Sequence, residues 1–370
     1  MKLDFFMPSR LVSGKNCVIN NSSMLGGLGR RCLIVTGGSS AKKSGALDDL
    51  ISALEKENIA YDVFSSIEPN PLISSCHKAG FRARETGAQF IVGIGGGSVL
   101  DASKAIAIYT ANSDLTPEDI YKRKYRNTPL PVVLIGTTAG TGSEVTGVSV
   151  LTQDESGQKK SISGEDCYAK ISFLDAKYTY SLPFDVTAST ALDALAHTVE
   201  GWFGPRMNDT VKLFAVRAMQ LLWNNIKYLG QTKCTPDEKQ REELYLGSIY
   251  AGLVINSCGT GFPHPLGYVL TESFNIPHGK ACAAFMPKFL ERAEKYESKK
   301  LNELLQTVGE NRDSFSAAVN LLEDLHGIKI SRQEAFEHAK RWEQVPKNFE
   351  ASPGGLTQQE AAEILAEVFE

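Results

Sequence analysis

Up to about residue 180 this chain repeats one rhythm, a short β-branched run followed by a stretch with helical spacing. The runs are CLIVTGG (32–38), AYDVFSS (60–66), QFIVGIGGG (89–97) and PVVLIGTT (131–138), and GALDDLISALEKEN and ISSCHKAGFRARETG carry the helical spacing between them. Strands that alternate with helices pair mostly in parallel, because each crossover helix returns the chain to the same end of the sheet. The segment SVLTQDESGQKKSISG reads as a strand running into a polar loop, with Lys160 in the loop, and as a hairpin. From about residue 184 long amphipathic segments take over, as in MNDTVKLFAVRAMQLLWNNIKYL, where Val211, Phe214, Ala218 and Leu221 share a face. Pro183, in SLPFD, marks the boundary, so the sequence predicts an α/β domain over 1–183 and an all-α domain over 184–370.

Composition excludes several classes. A chain of 370 residues, 42% hydrophobic and 22% charged, is long enough for two domains with cores of their own. Its net charge of -4, with acidic and basic residues interleaved, argues against a nucleic-acid or membrane-surface partner. No apolar run approaches the roughly 20 residues of a bilayer span. The start MKLDFFMPSR lacks the apolar stretch of a secretion signal. The cysteines at 17, 32, 76, 167, 234, 258 and 282 are odd in number and form no C-x-x-C pair, so the expectation is reduced thiols in a cytoplasmic protein.

Two loops suggest a dinucleotide. IVGIGGGSVLDASKAIA reads as a strand, three glycines and a helix start, which lets a backbone approach phosphate oxygens and aims free N–H groups at them. The local alternative is a helix cap made by Ser98 and Asp101. A second small-residue loop, GTTAGTGSE (136–144), also follows a strand, and two such loops on one sheet favour a nucleotide lying along the strands' carboxyl ends, a Rossmann-like arrangement.

DALAHTVEGW (193–202) sets Asp193 and His197 four apart, on one face if the segment is helical. Such a pair can be an ordinary exposed one. FPHPLGYVLTESFNIPHGKA adds His264 at a helix start and His278 in a Pro-His-Gly turn, and each alone can be a core histidine. Three imidazoles and one carboxylate nevertheless make up a first shell for a divalent transition metal with open positions for substrate. His77, His326 and His338 read as surface or packing residues.

PNP (69–71), GGGSVLDASKA (95–105), TTAGTGSEVT (137–146), YSLP (180–183), DALAHTVE (193–200), HPLGY (264–268) and PHG (277–279) together resemble the iron-containing, or group III, alcohol dehydrogenases over nearly the whole chain. The resemblance implies a dehydroquinate-synthase-like architecture and a metal held by Asp193, His197, His264 and His278, Fe(II) with Zn(II) as the alternative. It further implies that Gly96, Gly97, Ser98 and Asp101 meet the diphosphate side of a nicotinamide cofactor, that Thr137 and Thr138 line its adenosine part, and that Asn70, Lys160 and Leu182 lie along it. A homodimer or higher homo-oligomer is implied as well. Many members carry a second histidine where this chain has Tyr268, so a histidine proton relay does not carry over; water, the cofactor ribose and Tyr268 remain as proton routes. The implied reaction is hydride transfer between the nicotinamide and a primary alcohol or its aldehyde, with the metal as Lewis acid.

Two other readings are weighed against it. A lyase-type, dehydroquinate-synthase-like relative would need several cations for an anionic substrate, and positions 255–285 supply Lys280 alone. A binding protein that has lost catalysis would have no use for the intact ligand set. That same scarcity of charge, with Val254, Ile255 and Phe262 as the expected wall, predicts a small neutral alcohol or aldehyde as substrate. For the cofactor, Gly37, Gly38 and Ser39, with Ser40, Lys42 and Lys43 next, stand where NAD-selective enzymes carry an acid, which predicts NADP(H) over NAD(H) unless the segment is an ordinary solvated turn.

Overall fold

The computed structural model describes residues 3–325 and 327–370. His326 therefore lies outside the described residues. The Cα packing resolves two compact units, one formed by Met7–Thr138 with Gly142–Leu182, the other by Pro183–Glu370 with Ala139–Thr141 and the residues up to Phe6.

The first unit is built on a six-stranded sheet. In chain order its strands are β1 (Arg10–Ser13), β2 (Arg31–Thr36), β3 (Ala60–Phe64), β4 (Phe90–Gly95), β5 (Val132–Gly136) and, after the hairpin strands β6 (Val148–Thr152) and β7 (Lys159–Ser163), β8 (Ile171–Leu174). Their spatial order is β1-β8-β5-β4-β2-β3, with every neighbouring pair parallel. The inner strands β2, β4 and β5 are apolar in near-continuous runs because both faces are covered. Leu33, Val35, Ile91, Val132 and Leu134 face one core with the helices Ile73–Glu85 and Gly97–Ala111, while Cys32, Ile34, Phe90, Val92, Val133 and Ile135 face another containing Leu50, Ala53 and Leu54 of the Ala46–Lys56 helix. A one-residue slip of register would exchange the two sets.

The chain runs from β2 outward to β3, then crosses back over β2 to lay down β4, so the strand order reverses between β2 and β4. At such a switch point the loops leaving the two strands' carboxyl ends diverge and open a crevice. Gly37 and Gly38 leave β2 there, and Gly96 and Gly97 leave β4.

The second unit is helical. Its axis is Phe184–Phe203, buried almost continuously from Thr187 onward, which begins at Pro183, a residue that cannot extend a helix backward. Asp209–Thr232 and Glu238–Cys258 pack along it. The side chain of Asn208 accepts from the N–H groups of Thr210 and Val211 and fixes where the first of these two starts. Pro263–Phe274 and His278–Ala283 follow. No described helix is long and apolar enough to cross a membrane.

Candidate metal centre and dinucleotide loops

Asp193 and His197 lie one turn apart on the buried face of Phe184–Phe203. His264 is the second residue of Pro263–Phe274, where Pro263 occupies the first helical position. His278 opens the helix His278–Ala283, where the sequence predicts a turn; Pro277 is its cap, and the helix continues through Cys282. The short helix is drawn tightly onto the long one: a Cβ on Gly279 would stand 1.8 Å from the Ser189 carbonyl oxygen and 2.8 Å from the Asp193 nitrogen.

The four side chains converge. Asp193 Oδ1 lies 3.6 Å from His197 Nε2, 3.7 Å from His264 Nε2 and 3.8 Å from His278 Nε2. These separations exceed hydrogen-bond lengths. They match the edges of a donor polyhedron instead, since a tetrahedral ion with bonds of about 2.1 Å holds its ligands about 3.4 Å apart. Asp193 Oδ1 is buried with no hydrogen-bond partner among the described residues. A carboxylate oxygen in that state is costly unless a cation offsets it, so the donor set fits a divalent transition metal. Burial lowers the His197 pKa to about 4, against the opposing pull of Asp193, so the ring is neutral near pH 7 with its lone pair available. The rings of His197 and His264 stack with centroids 4.7 Å apart, and Tyr268 stacks on His278 at 5.4 Å.

Two neighbours have no assigned role in the sequence reading. Glu200, 1% exposed, accepts from His264 Nδ1 at 2.7 Å and from the Gly261 N–H at 2.7 Å. Burial raises its pKa and the His264 contact opposes the rise. A carboxylate on the far nitrogen of a candidate ligand fixes its tautomer and directs the Nε2 lone pair inward. The spacing Asp193, His197, Glu200 follows the i, i+4, i+7 stripe of one helix face, but that stripe alone does not name its partners. The second neighbour is Cys282: one donor atom each from Asp193, His264, His278 and Cys282 all lie within 4.8 Å of one another.

In the first unit, Gly96 caps the helix Gly97–Ala111 in extended conformation. A Cβ on it would meet Thr138 Cγ2 at 3.1 Å and Oγ1 at 3.2 Å, tighter than ordinary contact, so glycine here eases the close approach of these two loops. Thr137 Oγ1 is buried without a hydrogen-bond partner among the described residues, a donor left for a ligand. Asn70 adopts φ 57, and its N–H donates to Ser98 Oγ at 3.2 Å. The Ser98–Asp101 cap does not form. The Asp101 carboxylate accepts instead from Ser143 Oγ at 2.5 Å, the Val150 N–H at 2.8 Å and Lys104 Nζ at 3.4 Å. Lys104, fully buried, also donates to Ser143 Oγ and the Val148 carbonyl at 2.7 Å each, so the pair ties residues 143–150 to the helix. Lys160 stands on β7, not in a loop, with Nζ 4.8 Å from the Tyr121 ring centre. Leu182 follows a short 3-10 turn and donates its N–H to the Thr179 carbonyl.

Val254 and Phe262 are fully buried, Val254 packed against Gly201 and Phe262 against Phe289, and Ile255 is half-buried. His77 is a packing residue as expected, bonded to the Leu115 carbonyl and edge-on to Tyr109, and His338 is half-buried. All seven cysteines are free thiols, six of them buried.

A parallel sheet with glycine loops at its switch point, in one chain with a three-histidine, one-carboxylate cluster in which only His278 is partly exposed, defines the class of metal-dependent nicotinamide oxidoreductases. Residues 8–176 match the family described as iron-containing alcohol dehydrogenase, and residues 187–340 match the Fe-containing alcohol dehydrogenase family, C-terminal. A sulfoacetaldehyde reductase of Bilophila wadsworthia is 33% identical over 72% of this chain and 70% of its own length. An NADH-dependent butanol dehydrogenase B of Clostridium acetobutylicum is 32% identical over 78% and 74%. The crystal structure of an iron-containing alcohol dehydrogenase from Thermotoga maritima superposes with a TM-score of 0.90 at 34% identity, covering 99% of each chain. The chain belongs to the iron-containing alcohol dehydrogenase family and is a metal-dependent alcohol dehydrogenase.

Proposed function

We propose that this chain interconverts a small, neutral primary alcohol and its aldehyde, with NADP(H) preferred over NAD(H) and with Asp193, His197, His264 and His278 holding Fe(II) or Zn(II). The observation that carries the reading is Asp193 Oδ1, buried and ringed by three imidazole nitrogens at 3.6 to 3.8 Å. When bound, the metal supplies Lewis acidity toward the substrate oxygen, and the nicotinamide gives or takes the hydride.

The chain's own residues do the rest. Glu200 keeps His264 in the tautomer with a free Nε2, and the Tyr268 ring orients His278. Gly96 and Gly97 present backbone N–H groups to the diphosphate, with Ser98 beside them and Thr137 and Thr138 on the adenosine side. Asn70, Lys160 and Leu182 lie along the cofactor, and Asp101 acts indirectly by holding residues 143–150. The six buried free thiols favour a reducing, cytoplasmic setting. β1, a four-residue strand at the edge of the sheet, suits pairing with a second copy in a homodimer.

Neutral substrates are favoured because Lys280 is the one lysine or arginine in 255–285, and the charge of Glu323 acts on it. The test is a panel of alcohols and aldehydes, charged and uncharged, run with both nicotinamides on metal-stripped and metal-reloaded protein. We expect turnover only after Fe(II) or Zn(II) is restored, at about one metal per chain, and only with uncharged substrates. Full activity in stripped protein overturns the metal assignment, and a strong preference for an anion such as sulfoacetaldehyde overturns the substrate class.

The NADP(H) preference rests on the turn after β2. Gly38 has φ +27 with nothing within 4 Å of a built Cβ, and Ser39, Lys42 and Lys43 are exposed. Residues 37–43 hold no acid to repel a 2'-phosphate. Expected is a kcat/KM with NADPH at least about tenfold above NADH, roughly 1.4 kcal/mol, and Gly38→Asp should reverse much of it. Equal or better efficiency with NADH in the unmodified enzyme, as the name of the butanol dehydrogenase relative has it for that protein, would refute the preference.

A further inference from the structure

The helix Ile73–Glu85 begins after Leu72, whose side chain accepts no hydrogen bond, so it lacks a cap of its own. The first N–H groups of a helix need acceptors from outside it. Asp154 supplies one from the turn between β6 and β7, 80 residues further along the chain: Oδ2 accepts the Ser74 N–H at 3.1 Å, and Oδ1 accepts the Ser74 hydroxyl. A carboxylate there also suits the positive end of the helix dipole. Beside it the Thr152 N–H donates to the Pro71 carbonyl at 2.8 Å, and Thr152 pairs with Leu72 in a parallel bridge. The hairpin is thus fastened to residues 71–74 at two points. Two residues expected along the cofactor flank this junction. Asn70 directly precedes Pro71 and donates its N–H to Ser98 Oγ at 3.2 Å, and Lys160 stands on β7 opposite Leu151, next to the Lys159–Thr152 pair.

We propose that Asp154 is a positioning residue for the nicotinamide cofactor: by capping Ile73–Glu85 from the hairpin, it holds Asn70 and Lys160 in place before the cofactor arrives. The inference rests on the reading of Asn70 and Lys160 as cofactor contacts. Neither segment is fixed by burial, since Asn70 is exposed and β7 has one buried residue in five. Asp101 holds the base of the hairpin at Val150, while the outer end that carries Lys160 is held by Thr152 and Asp154. Two attachments prevent the outer end from swinging; Thr152 alone leaves a hinge. Without the Asp154 carboxylate, the cost of ordering Asn70 and Lys160 together falls on binding. Asp154 takes no part in the chemical step, so the loss appears in cofactor affinity and not in turnover once the cofactor saturates. Asparagine keeps the cap, because its oxygen accepts the Ser74 N–H and its NH2 donates to Ser74 Oγ.

The experiment titrates metal-loaded full-length protein with NADPH and with NADH, each followed by its fluorescence. It compares the wild type with Asp154→Ala, Asp154→Asn, Asn70→Ala, Lys160→Ala and the Asp154→Ala/Lys160→Ala double variant. Expected is that Asp154→Ala weakens cofactor binding at least about fivefold, with kcat at saturating cofactor unchanged. Asp154→Asn should restore wild-type affinity, and Asp154→Ala should cost less in the Lys160→Ala background than alone. Wild-type affinity in Asp154→Ala, with Asn70→Ala and Lys160→Ala both weak, overturns the proposal and leaves those two contacts standing. An Asp154→Asn as weak as Asp154→Ala also overturns it, because the cap is then not what counts. Wild-type affinity in both Asn70→Ala and Lys160→Ala overturns the cofactor reading of those residues and this inference with it. Should Asp154→Ala not fold, Ser74→Ala decides, since it removes one of the two bonds to Asp154: weaker cofactor binding supports the proposal and wild-type affinity overturns it.

Discussion

Gly279→Ala should leave the protein unable to hold its metal. A Cβ at this position would stand 1.8 Å from the Ser189 carbonyl oxygen, against the 3.4 Å at which ordinary contact begins, a deficit of 1.6 Å. The obstacle is helix backbone that is itself buried, so no flexible side chain can yield. The helix His278–Ala283 must therefore move off Phe184–Phe203 by more than an ångström, and His278, its first residue, moves with it. Metal sites tolerate displacements of about 0.2 Å. We expect metal affinity lower by at least about 100-fold and activity lower in proportion, with folding stability reduced by about 3 kcal/mol. Metal content after dialysis, read beside the melting temperature, checks this. Wild-type metal content in the variant would mean that the two helices are not held together as described.

Much of this was legible in the sequence, and the misses have physical causes. The strands β2, β4 and β5 announce themselves because they are buried on both faces and so read as unbroken apolar runs. β1 and β8 carry no such signal: each is four residues long, RLVS is half-exposed at the edge, and ISFL follows the hairpin after a short polar turn. The hairpin itself was legible, but the polar KKSIS reads as loop because one of its five residues is buried. Among candidate ligands, residue types and spacing located all four, yet not their surroundings. Cys282 was hidden by reading Pro277-His278-Gly279 as a turn. Once the segment is a helix, the i, i+4 spacing brings Cys282 back beside His278. Likewise, no local pattern links residues 139–141 to the helical unit, because the link is a tertiary one: Gly140 lies so close to Thr190 that a Cβ on it would come within 2.8 Å of that side chain.

Glu200 was hidden by distance along the chain, since its partners Gly261 and His264 lie 61 and 64 residues on. Its replacement by glutamine is the sharpest test of how the centre is held. The carboxyl group offers an acceptor to each of two donors, the Gly261 N–H on Oε2 and His264 Nδ1–H on Oε1. Glutamine, of nearly the same shape, offers one acceptor and one donor. With its oxygen toward Gly261, its NH2 faces His264 Nδ1, which must then give up its proton. The proton moves to Nε2, the atom 3.7 Å from Asp193 Oδ1, and a protonated nitrogen has no lone pair for a metal. With the amide reversed, NH2 confronts the Gly261 N–H in a buried place, leaving donors unpaired at about 1 to 3 kcal/mol. Neither arrangement supports a metal-ready His264. Glu200→Gln should therefore weaken metal binding by about 10- to 100-fold, measured by competition with a chelator, while nicotinamide binding, proposed for the other unit, should stay unchanged. Excess metal should restore activity, because the donors remain and only the tautomer is wrong. Wild-type metal affinity in this variant would mean that His264 is held by packing alone and that Glu200 only fills its space.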